Sequence, residues 1–281
     1  MFKNLSLKSF NINTGLRESL RLANLGNFEG IDLNILDVEA LCQTHSVNYV
    51  KGMLDSFNIK PGVWNLSSDI TLTDAGFTAN IDKLTPLVEI SEKIGANRCV
   101  LSLPVGSDTT SCEDFSKMFP ERLNALAKRF NEYNCSIGVE IVEKHKSVKP
   151  YQHIYSFTTS QIYSFCKEAN ITNVGIVLDT FLLDQESNNQ DILQQFETKD
   201  IISVKVSDSD NNKKIRNLPR QTNVIDLPFI MQALRNIRYN GPITPISDEP
   251  RVFSFPNEIA VILAGGYLTR LWKDSFTKTE D

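Results

Sequence analysis

The chain has no CxxC pair, no apolar run long enough to span a bilayer, no block of like charge and no glycine-rich phosphate loop. Each absence excludes something. The five cysteines (Cys42, Cys99, Cys112, Cys135 and Cys166) are scattered. An odd count with no secretory leader in front of it points to a reducing, cytoplasmic compartment rather than a disulfide framework. Without about 20 consecutive apolar residues, no membrane partner is expected. The formal net charge of -5 is spread along the chain, which argues against a nucleic-acid surface. No GxGxxG or GxxxxGK[ST] follows an apolar run, so the common nucleotide motifs are missing too.

What the chain does have is an alternation. Hydrophobic residues make up 41% and charged residues 22% of it, enough to bury a sizeable core. Short apolar runs read as strands over 5–13, 28–33, 60–66, 98–103, 136–142, 174–179, 201–207 and 243–246. Between them the apolar spacing changes to three and four, which predicts helices over 16–25, 38–57, 77–94, 119–133, 159–169, 191–196, 227–237 and 257–272. Strands that alternate with helices make a parallel sheet, and continuous apolar strands are buried on both faces. Eight such units predict an α/β fold, a (β/α)₈ barrel occupying residues 1–281 as a single domain. An open doubly wound sheet is the weaker alternative.

In such a barrel the chemistry sits at the carboxyl ends of the strands. Those ends collect Asn11, Asp32, Trp64, Ser102, Glu140, Asp179, Lys205 and Asp208. Lys205 stands apart, because it lies inside an apolar run and an unpaired buried ammonium is very costly. Glu140 and Asp179, at the ends of the two preceding strands, are its candidate partners. The plainer reading is that Lys205 snorkels its head to solvent. Amides, acids, one base and an aromatic wall at Trp64 suit a small polar ligand, carbohydrate-like or a keto acid, better than a lipid.

By its motifs the chain resembles the xylose-isomerase-like TIM barrels, the sugar phosphate isomerase/epimerase group. Phe28-Glu-Gly-Ile-Asp-Leu33 is similar to the family's F-[DE]-G-I-[DE]-L, and Gly138-Val-Glu140 to its G-[LV]-E. Asn173-Val-Gly-Ile-Val-Leu-Asp-Thr-Phe181 is similar to N-V-G-L-[LV]-L-D-[ST]-[FW]. Asn223-Val-Ile-Asp-Leu227 followed by Tyr239-Asn-Gly-Pro-Ile-Thr244 resembles the run into the eighth strand. The resemblance implies a divalent metal held by a glutamate, an aspartate, a histidine and a glutamate on strands five to eight. Glu140 and Asp179 match the first two. Lys205 stands in place of the histidine and Ile246 in place of the last glutamate, and Leu182 replaces a further histidine. The chain's only histidines are His45, His145 and His153. Arg216 falls where the family often has a substrate-binding arginine.

The departures are concerted, and the expectation is that Lys205 replaces the metal, its ammonium lying between Glu140 and Asp179. No cofactor is expected, and Mn²⁺ or Mg²⁺ is disfavoured. The resemblance implies proton transfer next to a carbonyl of a sugar or cyclitol, by an isomerase, epimerase or dehydratase. Glu140, Lys205 and Asp179 are the candidate catalytic residues, and Arg216, Trp64, Asp208 and Asn11 the candidate substrate-binding ones. Two alternatives stand beside this. One is a non-catalytic barrel that binds a sugar-like ligand or a protein. The other is a metal enzyme with displaced ligands at Asp208, Asp248 or Glu249. A homo-oligomer is left open.

Overall fold

The eight apolar runs pair side by side into a closed parallel barrel in a computed structural model, which describes residues 1–66, 70, 73–143, 150–169, 171–187 and 189–276. Its strands are β1 (Phe2–Leu5), β2 (Gly30–Leu33), β3 (Lys60–Asn65), β4 (Arg98–Ser102), β5 (Ser136–Glu140), β6 (Val174–Asp179), β7 (Ile201–Val206) and β8 (Pro242–Pro245). They follow one another around the barrel in chain order, and β8 closes on β1 with Ile243 opposite Lys3. Helices pack outside. Among the described residues no helix is long and apolar enough to cross a membrane.

Three elements differ from the periodicity. The first strand ends at Leu5, and Leu7–Phe10 forms a 3₁₀ turn closed by Asn11 in the left-handed region at φ 55°. Leu7, Phe10 and Ile12 continue the apolar pattern because the turn packs on the core, so the run reads as strand past its true end. The long second helix divides into Ile35–Thr44 and Val47–Phe57, because Ser46 starts a new helix by accepting from the Tyr49 N–H at 3.1 Å. The helix expected over 119–133 begins earlier, as Cys112–Asn131, where Ser111 caps it through the Asp114 N–H at 3.0 Å.

The main core is the shell between barrel and helices, with Trp64, Phe115, Phe119 and Phe130 fully buried. A separate, small cluster of Val63, Val100 and Val177 plugs the barrel interior. Two register jumps then shape what lies above the plug. Opposite Asp32, the pairing skips from Ile31–Pro61 to Leu33–Trp64, and along β6 it skips from Ile176–Ile201 to Val177–Ser203. Bulges of this kind re-aim side chains next to functional sites.

Candidate active site

Above the valines the inner face of the barrel turns polar. A chamber of about 260 Å³ is bordered by Asp32, Glu140, Glu143, Asp179, Lys205 and Arg216. After the jump along β6, Asp179 pairs with Lys205 across the sheet, and Thr244 flanks Lys205 on the other side. The Lys205 ammonium donates to Glu140 Oε1, and Ser102 Oγ donates to Glu140 Oε2 at 2.7 Å. The Lys205 side chain keeps 28% of its surface. Burial pushes its pKa down to about 8; Asp32 and Asp248 oppose that shift, and Lys8 adds to it.

Arg216 reaches the same chamber from a short ribbon, in which Arg216–Asn217 pairs antiparallel with Asp208–Ser209. Its guanidinium is 3% exposed. Nη2 donates to Asp179 Oδ2 at 2.9 Å, and Nη1 donates to Asp248 Oδ2 at 3.2 Å and to Glu143. The group lies over the Phe181 ring, 4.6 Å from its centroid. The other oxygen of Asp179 accepts from the Phe181 N–H at 3.0 Å and so caps the helix Thr180–Asp184. Three carboxylates therefore share one arginine.

Asp32 enters from β2. Its Oδ1 accepts from Asn4 Nδ2 at 2.7 Å and from the Val63 N–H at 3.0 Å, a donor that the register jump releases from the ladder. Asn4 Nδ2 also donates to Thr244 Oγ1 at 2.9 Å. A Cβ on Gly62 would lie 2.6 Å from Asp32 Oδ1, so only glycine allows this approach. Burial raises the Asp32 pKa, with bonds from Val63, Asn4 and Ser6 opposing. Among the described residues, the carboxylates of Asp32, Glu140, Glu143, Asp179 and Asp248 meet the cations of Lys8, Lys205 and Arg216 around the chamber.

Several expectations need correction. Lys205 was expected to serve both carboxylates. Instead the positive charge is divided, with Lys205 on Glu140 and Arg216 on Asp179, because the ribbon brings Arg216 over the mouth. Trp64 does not wall the chamber. It is 0% exposed, stacks on Phe130 at 6.1 Å and donates from Nε1 to the Ala96 carbonyl at 3.0 Å. Strand residues alternate faces, and Val63 takes the inward position. Asp208 is 0% exposed, and its carboxylate accepts from the N–H groups of Ser209, Thr222, Asn223, Val224 and Ile225. It organises that loop and does not border the chamber. Asn11 is exposed and lines a neighbouring cleft instead. Tyr155, in the segment after β5, is buried against Phe115 at 4.8 Å. His145 lies outside the described residues.

Reading the strand ends did not single out Asp32, Lys8 or Glu143 as site residues. Asp32 was visible as a strand-end acid. Lys8 was hidden inside the overlong first strand, and Glu143 lies just past the end of β5.

A divalent metal, which the family resemblance implies, does not fit these residues. Lys205 occupies the histidine position and donates to Glu140, while Arg216 and a helix N-terminus take the oxygens of Asp179. Ile246, buried at the chamber wall, offers no donor. Of the alternative ligands, Asp208 is saturated by backbone, Asp248 accepts from Arg216 and Glu249 accepts from Gln221 Nε2 at 2.8 Å. Among the described residues no group of three or more His, Cys, Asp or Glu side chains is placed to hold a metal ion.

The fold and the mouth define a (β/α)₈ barrel with a polar site at its strand carboxyl ends. The chain belongs to the xylose isomerase-like TIM barrel family, whose model matches residues 20–258. It is 22% identical over 255 residues, 88% of each chain, to an inosose isomerase of Bacillus velezensis. Two solved structures share the fold at a TM-score of 0.80. One is a xylose isomerase domain protein from Alicyclobacillus acidocaldarius, 18% identical, with 96% of this chain and 98% of that one covered. The other is the IOLI protein with a bound zinc atom, 20% identical, with 99% and 100% covered.

Proposed function

We propose that the chain is an isomerase, epimerase or dehydratase that moves a proton next to the carbonyl of a small sugar, cyclitol or related hydroxy-keto compound. Lys205 and Arg216 supply positive charge in place of a divalent metal. The observation that carries this reading is the Lys205 ammonium seated on Glu140 inside the mouth chamber. Glu140 takes the proton from the carbon beside the carbonyl, and the C–H electrons move into the new C–C double bond. The carbonyl oxygen gains negative charge, which the Lys205 ammonium stabilises. Ser102 holds Glu140 in place. Asp32, its pKa raised across the chamber, returns a proton to the other face. Arg216 ties Asp179, Glu143 and Asp248 together through ion pairs. The similarity to an inosose isomerase supports a cyclitol or sugar ketone as substrate.

A second reading, a binding barrel without turnover, is favoured by one feature: Glu140 and Asp179 both already carry a cationic partner. One experiment separates the two. Chelator-treated protein is incubated in D₂O with a panel of inososes and ketohexoses, and exchange at the carbon beside the carbonyl is followed by proton NMR. Exchange without added metal is the expected result. Exchange only after Mn²⁺ or Zn²⁺ is supplied would remove the lysine-centred mechanism. Saturable binding without exchange would leave the binding reading.

A further inference from the structure

A larger cleft of about 530 Å³ opens beside the reaction chamber, between the segments that follow β1 and β2. Ser6, Lys8, Asp32 and Asn65 line both spaces, so the cleft adjoins the chamber with Asp32 and Lys8 at the neck. Its floor is apolar, made by Leu7, Ile12, Leu33 and Ile35. Its walls carry amides. Asn34 is committed to the fold, accepting from the Leu36 N–H at 3.2 Å and donating to Asp37 at 2.8 Å. Asn11, Asn13 and Asn65 are exposed in the cleft, and among the described residues their side chains have no hydrogen-bond partner. The left-handed backbone of Asn11, which closes the 3₁₀ turn, sets the point from which its amide projects.

Three amides over an apolar floor have a specific complement. An amide offers a donor and an acceptor side by side, which matches the hydroxyl groups of a sugar ring, whose C–H face covers apolar surface. Among the described residues no aromatic side chain lines the cleft, so they offer no stacking platform for an aryl group or a nucleobase. The inner chamber alone has room for about one ring. We propose that the cleft is a second sugar subsite and that the substrate is a two-unit glycoside. Its carbonyl-bearing ring enters the chamber, and its second, uncharged glycosyl unit lies against Asn11, Asn13 and Asn65. This inference rests on the proposed carbonyl chemistry for the identity of the first ring.

The test uses the full chain and a panel of disaccharides (cellobiose, maltose, lactose, sucrose and trehalose), each compared with its component monosaccharides by saturation-transfer NMR and titration. At least one disaccharide is expected to bind ten times more tightly than either of its units, with saturation reaching protons of both rings. In a variant carrying Asn11→Gly, which tolerates the left-handed backbone, together with Asn13→Ala, that affinity ratio falls towards one. Both positions are exposed, and a circular dichroism melt matching the parent checks folding. The subsite is overturned if no disaccharide exceeds its units, or if the ratio survives the double variant. Disaccharide binding without solvent exchange beside a carbonyl, tested on the corresponding keto-disaccharide, would keep the subsite and remove the catalytic reading. Exchange on simple ketoses with no disaccharide preference would do the reverse.

Discussion

Two cations stand at the barrel mouth in different circumstances. Arg216 is 3% exposed, shared among three carboxylates and seated over the Phe181 ring, with a buried Nε that has no partner among the described residues. Lys205 keeps 28% of its side-chain surface, pairs with Glu140 and has its pKa drawn down to about 8. The arginine is held through both Nη groups and its ring contact, as a planar guanidinium that is always charged can be. The lysine has an open side towards a ligand and a proton that chemistry can use. One cation holds the mouth together, and the other is available for work in it.

The sharpest way to break this contrast is to remove each cation in turn. Arg216→Met removes the cation that Glu143, Asp179 and Asp248 share, and should cost about 3–5 kcal/mol of stability. A urea melt reads it directly, and a change under 1 kcal/mol would deny Arg216 its structural role. Lys205→Met should instead lower kcat/KM by roughly a hundredfold, since a charge aimed at a developing oxyanion is lost. Its effect on the melt should be smaller than that of Arg216→Met, because the mouth admits water to Glu140. Unchanged turnover in Lys205→Met would end the catalytic reading.

Titration sharpens the same comparison without mutation. In the proposed mechanism the ammonium is the active form, so turnover should fall about tenfold per pH unit above about pH 8, the value to which burial lowers Lys205. Stability moves the other way. Between about 8 and the ordinary lysine value of 10.5 the unfolded chain binds more protons than the folded one, so this group's contribution rises with pH. Activity that stays flat to pH 10 would show that the lysine proton is not used. The smallest effect belongs to Trp64→Phe, which loses the bond to the Ala96 carbonyl and should cost about 1 kcal/mol with turnover unchanged. A large loss of turnover there would return Trp64 to the ligand wall.

Much of this was legible beforehand, and the reasons are local. The eight units show in the change of apolar period from two to nearly four, which depends on neighbouring residues alone. The Lys205–Glu140 pair was legible because a lysine within an apolar strand demands a partner. Asp208 and Trp64 were misread because both are polar or aromatic residues at strand ends, and position along a strand does not tell which face a residue takes once a bulge intervenes. The division of charge between two cations was not legible either. Arg216 meets Glu143, Asp179 and Asp248 across 73, 37 and 32 residues of chain. Only the closed barrel and the ribbon over it bring those four together.

The sequence by itself therefore determined the (β/α)₈ architecture, the family and the presence of a lysine where a metal ligand would stand, because each is written in local period, motif or residue identity. The tertiary structure alone decided which acid meets which base, that Asp32 completes the chamber and that a second, amide-lined cleft adjoins it. Those outcomes depend on register jumps in β2–β3 and β6–β7 and on turns whose backbone aims side chains into shared space. Electrostatic pairing falls steeply with distance, and distances between remote residues are set by packing rather than by spacing along the chain.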